Sequence, residues 1–351
     1  MIVILSKEAT PDDIRLVSER LSELGYEVNP IIGVEKTILG AVGGAEHAKI
    51  DALDQLRSYP HVEDVVLITK PYKFVAQESR KGRSVLNVGG VKIGGQEIVV
   101  MAGPCTVESE EQLMTTAAAV AEAGATVLRG GAYKPSTSPY SYQGMGIPGL
   151  ELLREAGRRF NLQVITEVMD VRKVELISQY AQILQIGTRN MQNYDLLKEV
   201  GQSKVPVMLK RGMSAKYEEF LLAAEYIASS GNENIMLCER GIRTFESGTR
   251  NTLDIGAIPV LHGLSHLPVI VDPSQGTGRR DMIAPMSRAA IAAGADGLII
   301  EVHPNPDHAI KDGSQSVTIE QFREMVPGFD RVAEAVDRCL LRKSVPAQQE
   351  A

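Results

Sequence analysis

A chain of 351 residues with 44 % hydrophobic and 23 % charged residues has an ordinary globular composition, long enough for one large domain and a small one. Its formal net charge of −7 argues against nucleic acid and anionic membranes as partners, but leaves room for a local cationic pocket and so for small anions. Three cysteines without paired spacing, Cys105, Cys238 and Cys339, fit a reducing cytoplasm, the apolar run Ile2 to Leu5 is too short for a signal segment, and no window approaches the ~18 apolar residues of a membrane span.

Residues 1–70 predict a βαββαβ order: strand Ile2–Leu5, helix Pro11–Leu24, strands Tyr26–Ile32 and Thr37–Val42, helix Glu46–Ser58 and strand Val62–Ile68. In the first helix Ile14, Val17, Leu21 and Leu24 share one face, Thr10 is the N-cap, Pro11 sits at N1 and Gly25 stops the run. This order is that of a small ferredoxin-like α+β domain. It holds no clustered nucleophile, metal ligand set or phosphate loop, which suits a regulatory or assembly module. Residues 71–84, PYKFVAQESRKGRS, lack apolar periodicity and read as a linker.

From residue 85 to about 345 the chain reads as one catalytic domain. A glycine-punctuated hairpin over Val85–Gly95 precedes eight short apolar strands, Ile98–Met101, Val127–Leu128, Val164–Thr166, Ile183–Ile186, Val205–Leu209, Ile235–Leu237, Val269–Val271 and Leu298–Ile300. Helical patterns alternate with them, among them Glu110–Ala123, Pro148–Phe160, Lys216–Ser229 and Met282–Ala293, and a last helix is expected over Ile319–Leu341. Eight such units over ~250 residues predict an α/β fold of the (β/α)8 TIM-barrel type, whose active sites lie at the C-terminal ends of the strands. An open doubly wound sheet is the alternative, but no Gly-rich dinucleotide fingerprint follows any strand.

Those strand ends carry the chemistry. Val127 to Tyr140, VLRGGAYKPSTSPY, runs from a strand into a proline-stiffened loop with Arg129 and Lys134; Glu167 follows strand three, and Arg189, Lys210 and Arg240 end strands four, five and six. Five cations converging on one mouth of an acidic protein predict an anionic, phosphate-bearing substrate. The loop Asp272–Arg280 after strand seven is glycine-containing and leads toward a helix at about Asp281, a place where barrels bind phosphate. Cys105, Glu301 and Asp312 form a candidate mixed thiolate and carboxylate metal site. His303 is either a polariser of substrate or the donor of a structural hydrogen bond. Lys134 and Lys210, crowded by arginines, are expected to have depressed pKa values and to move a proton or stabilise charge.

With AGPCTVES, VLRGGAYKP, TSPYSYQG, QIGTRN, MLKRG, LCERGIRTFE, TRNTLDI, DPS, SRAAIAAGADG and EVHPNP in order, the chain from about 85 to 340 resembles 3-deoxy-D-arabino-heptulosonate 7-phosphate (DAHP) synthase of the small microbial I-beta type, the form preceded by a ferredoxin-like domain. The resemblance implies a metal-assisted condensation of phosphoenolpyruvate with erythrose 4-phosphate, opening the shikimate route. It implies that Arg129, Lys134, Arg189, Lys210 and Arg240 hold phosphoenolpyruvate, with Lys134, Lys210, Cys105 and Glu301 catalytic and Thr137, Arg279 and Arg280 near the phosphates. It further implies a divalent ion (Mn2+, Fe2+ or Zn2+) held by Cys105, Glu301, Asp312 and the residue at 275, an aromatic amino-acid effector on residues 1–70, and a cytoplasmic homotetramer. Two positions depart from the family: Gln275 stands where DPSH has histidine, and Ser136 stands where KPRTS has arginine. Both fall on the aldehyde side. They leave open an ordinary synthase in which the Gln275 amide oxygen still ligates and Arg279 or Arg280 replaces the lost arginine, a synthase with a different aldose acceptor, and a non-catalytic regulatory homologue.

Overall fold

The computed structural model describes residues 1–32, 36–43, 48–66, 70–136 and 138–342. The chain divides after Pro71 into two compact units. In the first, β1 (Ile2–Leu5), α1 (Pro11–Glu23), β2 (Tyr26–Ile32), β3 (Thr37–Gly43), α2 (Ala48–Arg57) and β4 (Val62–Val66) make an antiparallel sheet of order β2-β3-β1-β4. Thr10 accepts from the Asp13 backbone N–H while the Asp13 side chain accepts from Thr10, so the entry to α1 is closed by a capping box with Pro11 behind it. Val3, Leu5, Val17, Leu21, Leu39 and Leu56 form the small core. The expected start of the second helix at Glu46 and the expected end of the last strand at Ile68 lie outside the described residues.

The second unit begins with a strap. The Glu225 carboxylate accepts the backbone N–H groups of Lys73, Phe74 and Val75 at 2.8, 3.0 and 3.1 Å, Ser265 donates to the Val75 carbonyl at 2.6 Å, and His266 bridges the Phe74 carbonyl and Ser84, each at 2.8 Å. The stretch without periodicity is thus pinned along the barrel, with one 3-10 turn at Gln77–Ser79. A hairpin follows, β5 (Leu86–Val88) and β6 (Val91–Ile93), turned at Gly89 and Gly90, whose φ angles of 54° and 89° are the pair a two-residue type I′ turn requires.

The barrel proper is β7 (Glu97–Gly103), α3 (Glu110–Glu122), β8 (Val127–Arg129), α4 (Ile147–Arg159), β9 (Gln163–Val168), α5 (Val174–Ser178), β10 (Ile183–Ile186), α6 (Tyr194–Gln202), β11 (Val207–Lys210), α7 (Tyr217–Ser229), β12 (Ile235–Glu239), α8 (Ala257–Leu264), β13 (Val269–Val271), α9 (Pro273–Thr277), α10 (Ile283–Ala292), β14 (Gly297–Glu301) and α11 (Ile319–Ala335). Strands β7 to β14 pair in parallel and in sequence, and the ring closes where β14 meets β7, with Gly297 opposite Val99 and Glu301 opposite Gly103. The TIM barrel preceded by a ferredoxin-like domain is therefore the fold. The last helix is shorter than expected: it ends at Ala335, Asp337 takes a left-handed turn at φ 56°, and Cys339–Leu340 (β15) pairs with the start of β7, so Cys339 is a strand residue rather than a helical one.

Strand alternation sorts the side chains. Ile98, Val100, Leu128, Val164, Leu184, Leu209, Leu237, Val269, Leu298 and Ile300 face the helices, while Val99, Met101, Val127, Ile165, Ile183, Met208, Met236, Cys238, Ile270 and Ile299 fill the interior. Leu86, Val88, Val91 and Ile93 of the hairpin join that interior layer and plug its N-terminal end. The other end stays open.

Candidate active site

One period-two step beyond each interior apolar residue lies a residue of the mouth: Gly103 beyond Met101, Arg129 beyond Val127, Glu167 beyond Ile165, Gln185 beyond Ile183, Lys210 beyond Met208, Arg240 beyond Cys238, Asp272 beyond Ile270 and Glu301 beyond Ile299. The same pleat that builds the core therefore aims a polar ring at the opening. An open cavity sits there, with Lys134, Glu167, Arg189, Lys210, Arg240 and Gln275 on its wall and a recess at its floor that adds Cys105 and Arg129.

Most of these charges are paired inside the protein. Lys210, 1 % exposed, donates to Asp272 at 2.5 Å; Arg129 lies 3.4 Å from Glu301 and donates to the Pro104 carbonyl at 2.8 Å; Lys134 lies 3.4 Å from Asp312 and donates to Cys105 Sγ at 2.6 Å. Arg240 is different. It is 4 % exposed, has no carboxylate partner among the described residues, and its Nε is buried and unpaired, as is the Nε of Arg129. Burial accordingly pulls the Arg240 guanidinium below its usual range despite the more distant Asp272. Buried guanidinium groups that each keep an unpaired Nε beside an open cavity are a site for an anion.

The expectation of depressed lysine pKa values fails for Lys134. Burial opposes its charge, but Cys105, Glu301 and Asp312 outweigh burial and hold the ammonium above its usual range. Its immediate neighbours are the Cys105 sulfur and the Asp312 carboxylate rather than the arginines that sequence order suggests. Burial, reinforced by Glu301, pushes the Cys105 thiol up, and the thiol donates to Asp312 Oδ2 at 3.0 Å. Burial likewise raises the Glu167 carboxyl, against Lys134, Lys210, Arg129 and Arg189. Asp272 goes the other way, because Lys210 overcomes the penalty of burial.

Cys105 Sγ and one carboxylate oxygen each from Glu301 and Asp312 lie within 4.8 Å of one another. Glu301 Oε1 is buried without a hydrogen-bond partner, while Oε2 accepts from Gln315 at 2.9 Å. A buried carboxylate oxygen that makes no hydrogen bond and has the Arg129 guanidinium 3.4 Å away, beside a thiol and a second carboxylate, with the Lys134 ammonium resting on the same groups, fits a cation site. Gln275 borders both the cavity and the recess, and its side-chain amide has no partner among the described residues. Asp312 sits at φ 55°, a left-handed conformation that aspartate tolerates better than most residues. His303 makes a structural contact, donating to Glu108 at 3.2 Å and accepting the Asn305 backbone N–H through Nδ1 at 3.0 Å; Glu108 also accepts from the Ile310 backbone, so it clasps the loop that carries Asp312.

Not every expected residue reaches the cavity. Arg279 is paired with Asp281 at 2.7 Å, Arg280 with Asp307 at 2.9 Å and the Gly313 carbonyl at 3.0 Å, and neither borders it. Thr137 lies outside the described residues. The loop after strand seven enters a helix at once, α9, whose N-cap Asp272 accepts from Gln275 N–H and whose end is Gly278 at φ 68°. Glu167, Gln185 and Asp272 join the site through the alternation itself, a signal present in the sequence. Arg250 and Lys311 also border the cavity, from loops without periodicity.

Known proteins resemble both parts of the chain. The sequence pattern described as the DAHP synthetase I family matches residues 73–337, and that of the DAHP synthase ferredoxin-like domain matches residues 1–70. A phospho-2-dehydro-3-deoxyheptonate aldolase of Thermotoga maritima is 48 % identical over 336 residues, 96 % of this chain and 98 % of its own. A 2-dehydro-3-deoxyphosphooctonate aldolase of Syntrophotalea carbinolica is 32 % identical over 259 residues, 68 % of this chain and 92 % of its own. The crystal structure of the Thermotoga maritima aldolase superposes with a TM-score of 0.92 at 47 % identity, covering 97 % of this chain and 99 % of that one; a truncated form of the Thermotoga maritima synthase gives 0.72 at 49 %, covering 76 % and 98 %.

Proposed function

We infer the roles of the cavity residues from the fact that the chain belongs to the DAHP synthetase I family and condenses phosphoenolpyruvate with erythrose 4-phosphate and water, giving 3-deoxy-D-arabino-heptulosonate 7-phosphate and phosphate at the first step of the shikimate pathway. The observation that carries the assignment of the phosphoenolpyruvate site is the pair of buried guanidinium groups, Arg129 and Arg240, each with an unpaired Nε at the cavity floor. With Arg189, Lys134 and Lys210 they bind the phosphate and carboxylate of phosphoenolpyruvate.

Cys105, Glu301, Asp312 and the amide oxygen of Gln275 are the residues that would hold a divalent ion, and such an ion supplies Lewis-acid polarisation of the aldehyde oxygen. Three oxygens and one sulfur form a harder set than one containing imidazole, which favours Mn2+ over Zn2+. Carbon–carbon bond formation runs from C3 of phosphoenolpyruvate to the aldehyde carbon; water then adds at C2, and phosphate leaves with the C2–O bond. The Lys134 ammonium is placed to stabilise negative charge or to donate a proton. Lys210, oriented by Asp272, holds the phosphoenolpyruvate anion, and Glu167 lies among the same cations with its carboxyl raised above the ordinary range by burial.

The same reading brings with it an aromatic amino-acid effector for residues 1–70 and a cytoplasmic homotetramer; the three free thiols are compatible with a reducing compartment, and no described helix is long and apolar enough to cross a membrane. The deciding experiment is phosphate release from phosphoenolpyruvate with erythrose 4-phosphate, with and without Mn2+ and after chelation. Chelator-sensitive release is expected. Bound phosphoenolpyruvate without release under any metal would overturn the assignment.

A further inference from the structure

The aldose brings a second phosphate, and it must be held by cations that phosphoenolpyruvate leaves over. Position 136, the place of an arginine in the resembling enzymes, offers none: Ser136 Oγ donates to the Tyr142 carbonyl at 2.7 Å and so folds its own loop. Arg279 and Arg280 are bound to Asp281 and to Asp307 and Gly313, away from the cavity. Beyond the five cations already assigned, the cavity wall has two more, Arg250 and Lys311. Arg250 donates to Gln315 at 2.7 Å and lies 3.5 Å from Asp312, so its fork already steadies the loop around the carboxylate cluster. Lys311 is half-buried, borders the same cavity as Pro135 and Ser136, and has no hydrogen-bond or ion-pair partner among the described residues.

We propose that Lys311 grips the phosphate of the aldose, so that in this chain selectivity for a phosphorylated acceptor resides on the loop after β14 and not on the loop after β8. The inference rests on the condensation assigned above. Its chemistry is simple: a partnerless ammonium on the wall of a cavity that must take two phosphates is the cheapest place to neutralise the second one. Its position is also apt. Lys311 immediately precedes Asp312, whose carboxylate sits with Cys105 and Glu301, so one short segment reaches both the reacting end and the charged end of a four-carbon aldose. A lysine is a point charge on a flexible stem, so it selects for the dianion without the geometric stringency of an arginine fork.

The test has a binding arm and a kinetic arm. Calorimetric titration of erythrose 4-phosphate into metal-free, phosphoenolpyruvate-saturated protein should show about tenfold or greater weakening in Lys311→Ala, the loss expected for a hydrogen bond to a charged group, with recovery in Lys311→Arg and in the double variant Lys311→Ala, Ser136→Arg. In turnover, Lys311→Ala should raise KM for erythrose 4-phosphate, leave KM for phosphoenolpyruvate unchanged, and narrow the preference for erythrose 4-phosphate over unphosphorylated erythrose. Unchanged aldose affinity in Lys311→Ala, absence of aldose binding to the unmodified protein, or a loss that falls on phosphoenolpyruvate would each overturn the proposal. Failure of the two readings is separable. Aldose binding that depends on Lys311 without phosphate release removes the condensation and keeps the anchor; normal turnover in Lys311→Ala removes the anchor and keeps the condensation.

Discussion

Gln275 presents an amide at the edge of a thiol and carboxylate cluster, and this exchange should show in metal affinity before it shows in fold. Gln275→His adds a stronger nitrogen donor and is expected to tighten divalent binding by about 10–100-fold, the range over which single changes around metal sites act. Metal retained after dialysis against graded chelator measures it, and equal retention in both proteins would place residue 275 outside the coordination. Lys134→Ala separates charge from metal: kcat/KM should fall by about 10²–10⁴ while metal retention does not fall, because Lys134 contacts Cys105 and Asp312 without being a ligand. Near-normal turnover in that variant would remove Lys134 from the chemistry. Asp272 is the third such residue. Asp272→Asn strands a buried Lys210, and breaking a buried pair costs about 3–5 kcal/mol, so a lowered Tm and a raised KM for phosphoenolpyruvate should appear together. An unchanged Tm would mean that Lys210 finds another partner.

At the scale of elements, the strands were the most readable part of the chain, because short β-branched runs separated by polar turns admit few other structures. Ile183–Ile186 and Val269–Val271 match the expected bounds, and the remaining barrel strands shift by one or two residues. Weakly amphipathic or very short helices escaped: α5 has only five residues, and α9 hides inside DPSQGT because its proline and glycines read as loop although Asp272 caps it. Arg129, Lys210, Arg240 and Glu301 were legible as strand ends, whereas which cation meets which carboxylate was not, since pairs such as Arg129 with Glu301 and Lys134 with Asp312 join distant parts of the chain. The N-terminal rim holds a second buried knot with a pH signature. Asp296, beside the start of β14, accepts from Val269 N–H at 2.8 Å and meets His262 at 3.2 Å, Arg338 at 3.3 Å and Arg83. Burial opposes its ionisation, but His262, Arg83 and the Val269 amide hold its pKa below the ordinary value. A depressed carboxyl contributes stability above its unfolded pKa of ~3.9 and loses it as pH falls through the lower folded value, so acid unfolding below about pH 4 should steepen through Asp296. Asp296→Asn should flatten that limb of the stability curve, and an unaltered acid limb would exonerate the residue.

For the whole molecule, the division after Pro71 and the likeness to a truncated Thermotoga maritima synthase argue that the barrel keeps its own core. Deleting residues 1–70 should preserve phosphate release within about threefold, because none of the cavity residues lies in that part of the chain, and should abolish the inhibition by tyrosine or phenylalanine that the proposed effector role predicts. Inhibition that survives the deletion would locate the sensor on the barrel. The ring itself has a consequence in time. β7 pairs with β14 across about 200 residues of sequence, and at a synthesis rate of about 5–20 residues per second its open edge waits roughly 10–40 s on the ribosome for the strand that closes it. The first unit, complete within its leading residues, folds during that wait, while the barrel strands emerge as an apolar sheet with one edge uncovered. Slowing translation just before β14 should therefore increase aggregation even though the finished chain is unchanged, and equal aggregation at both speeds would show that the wait is harmless.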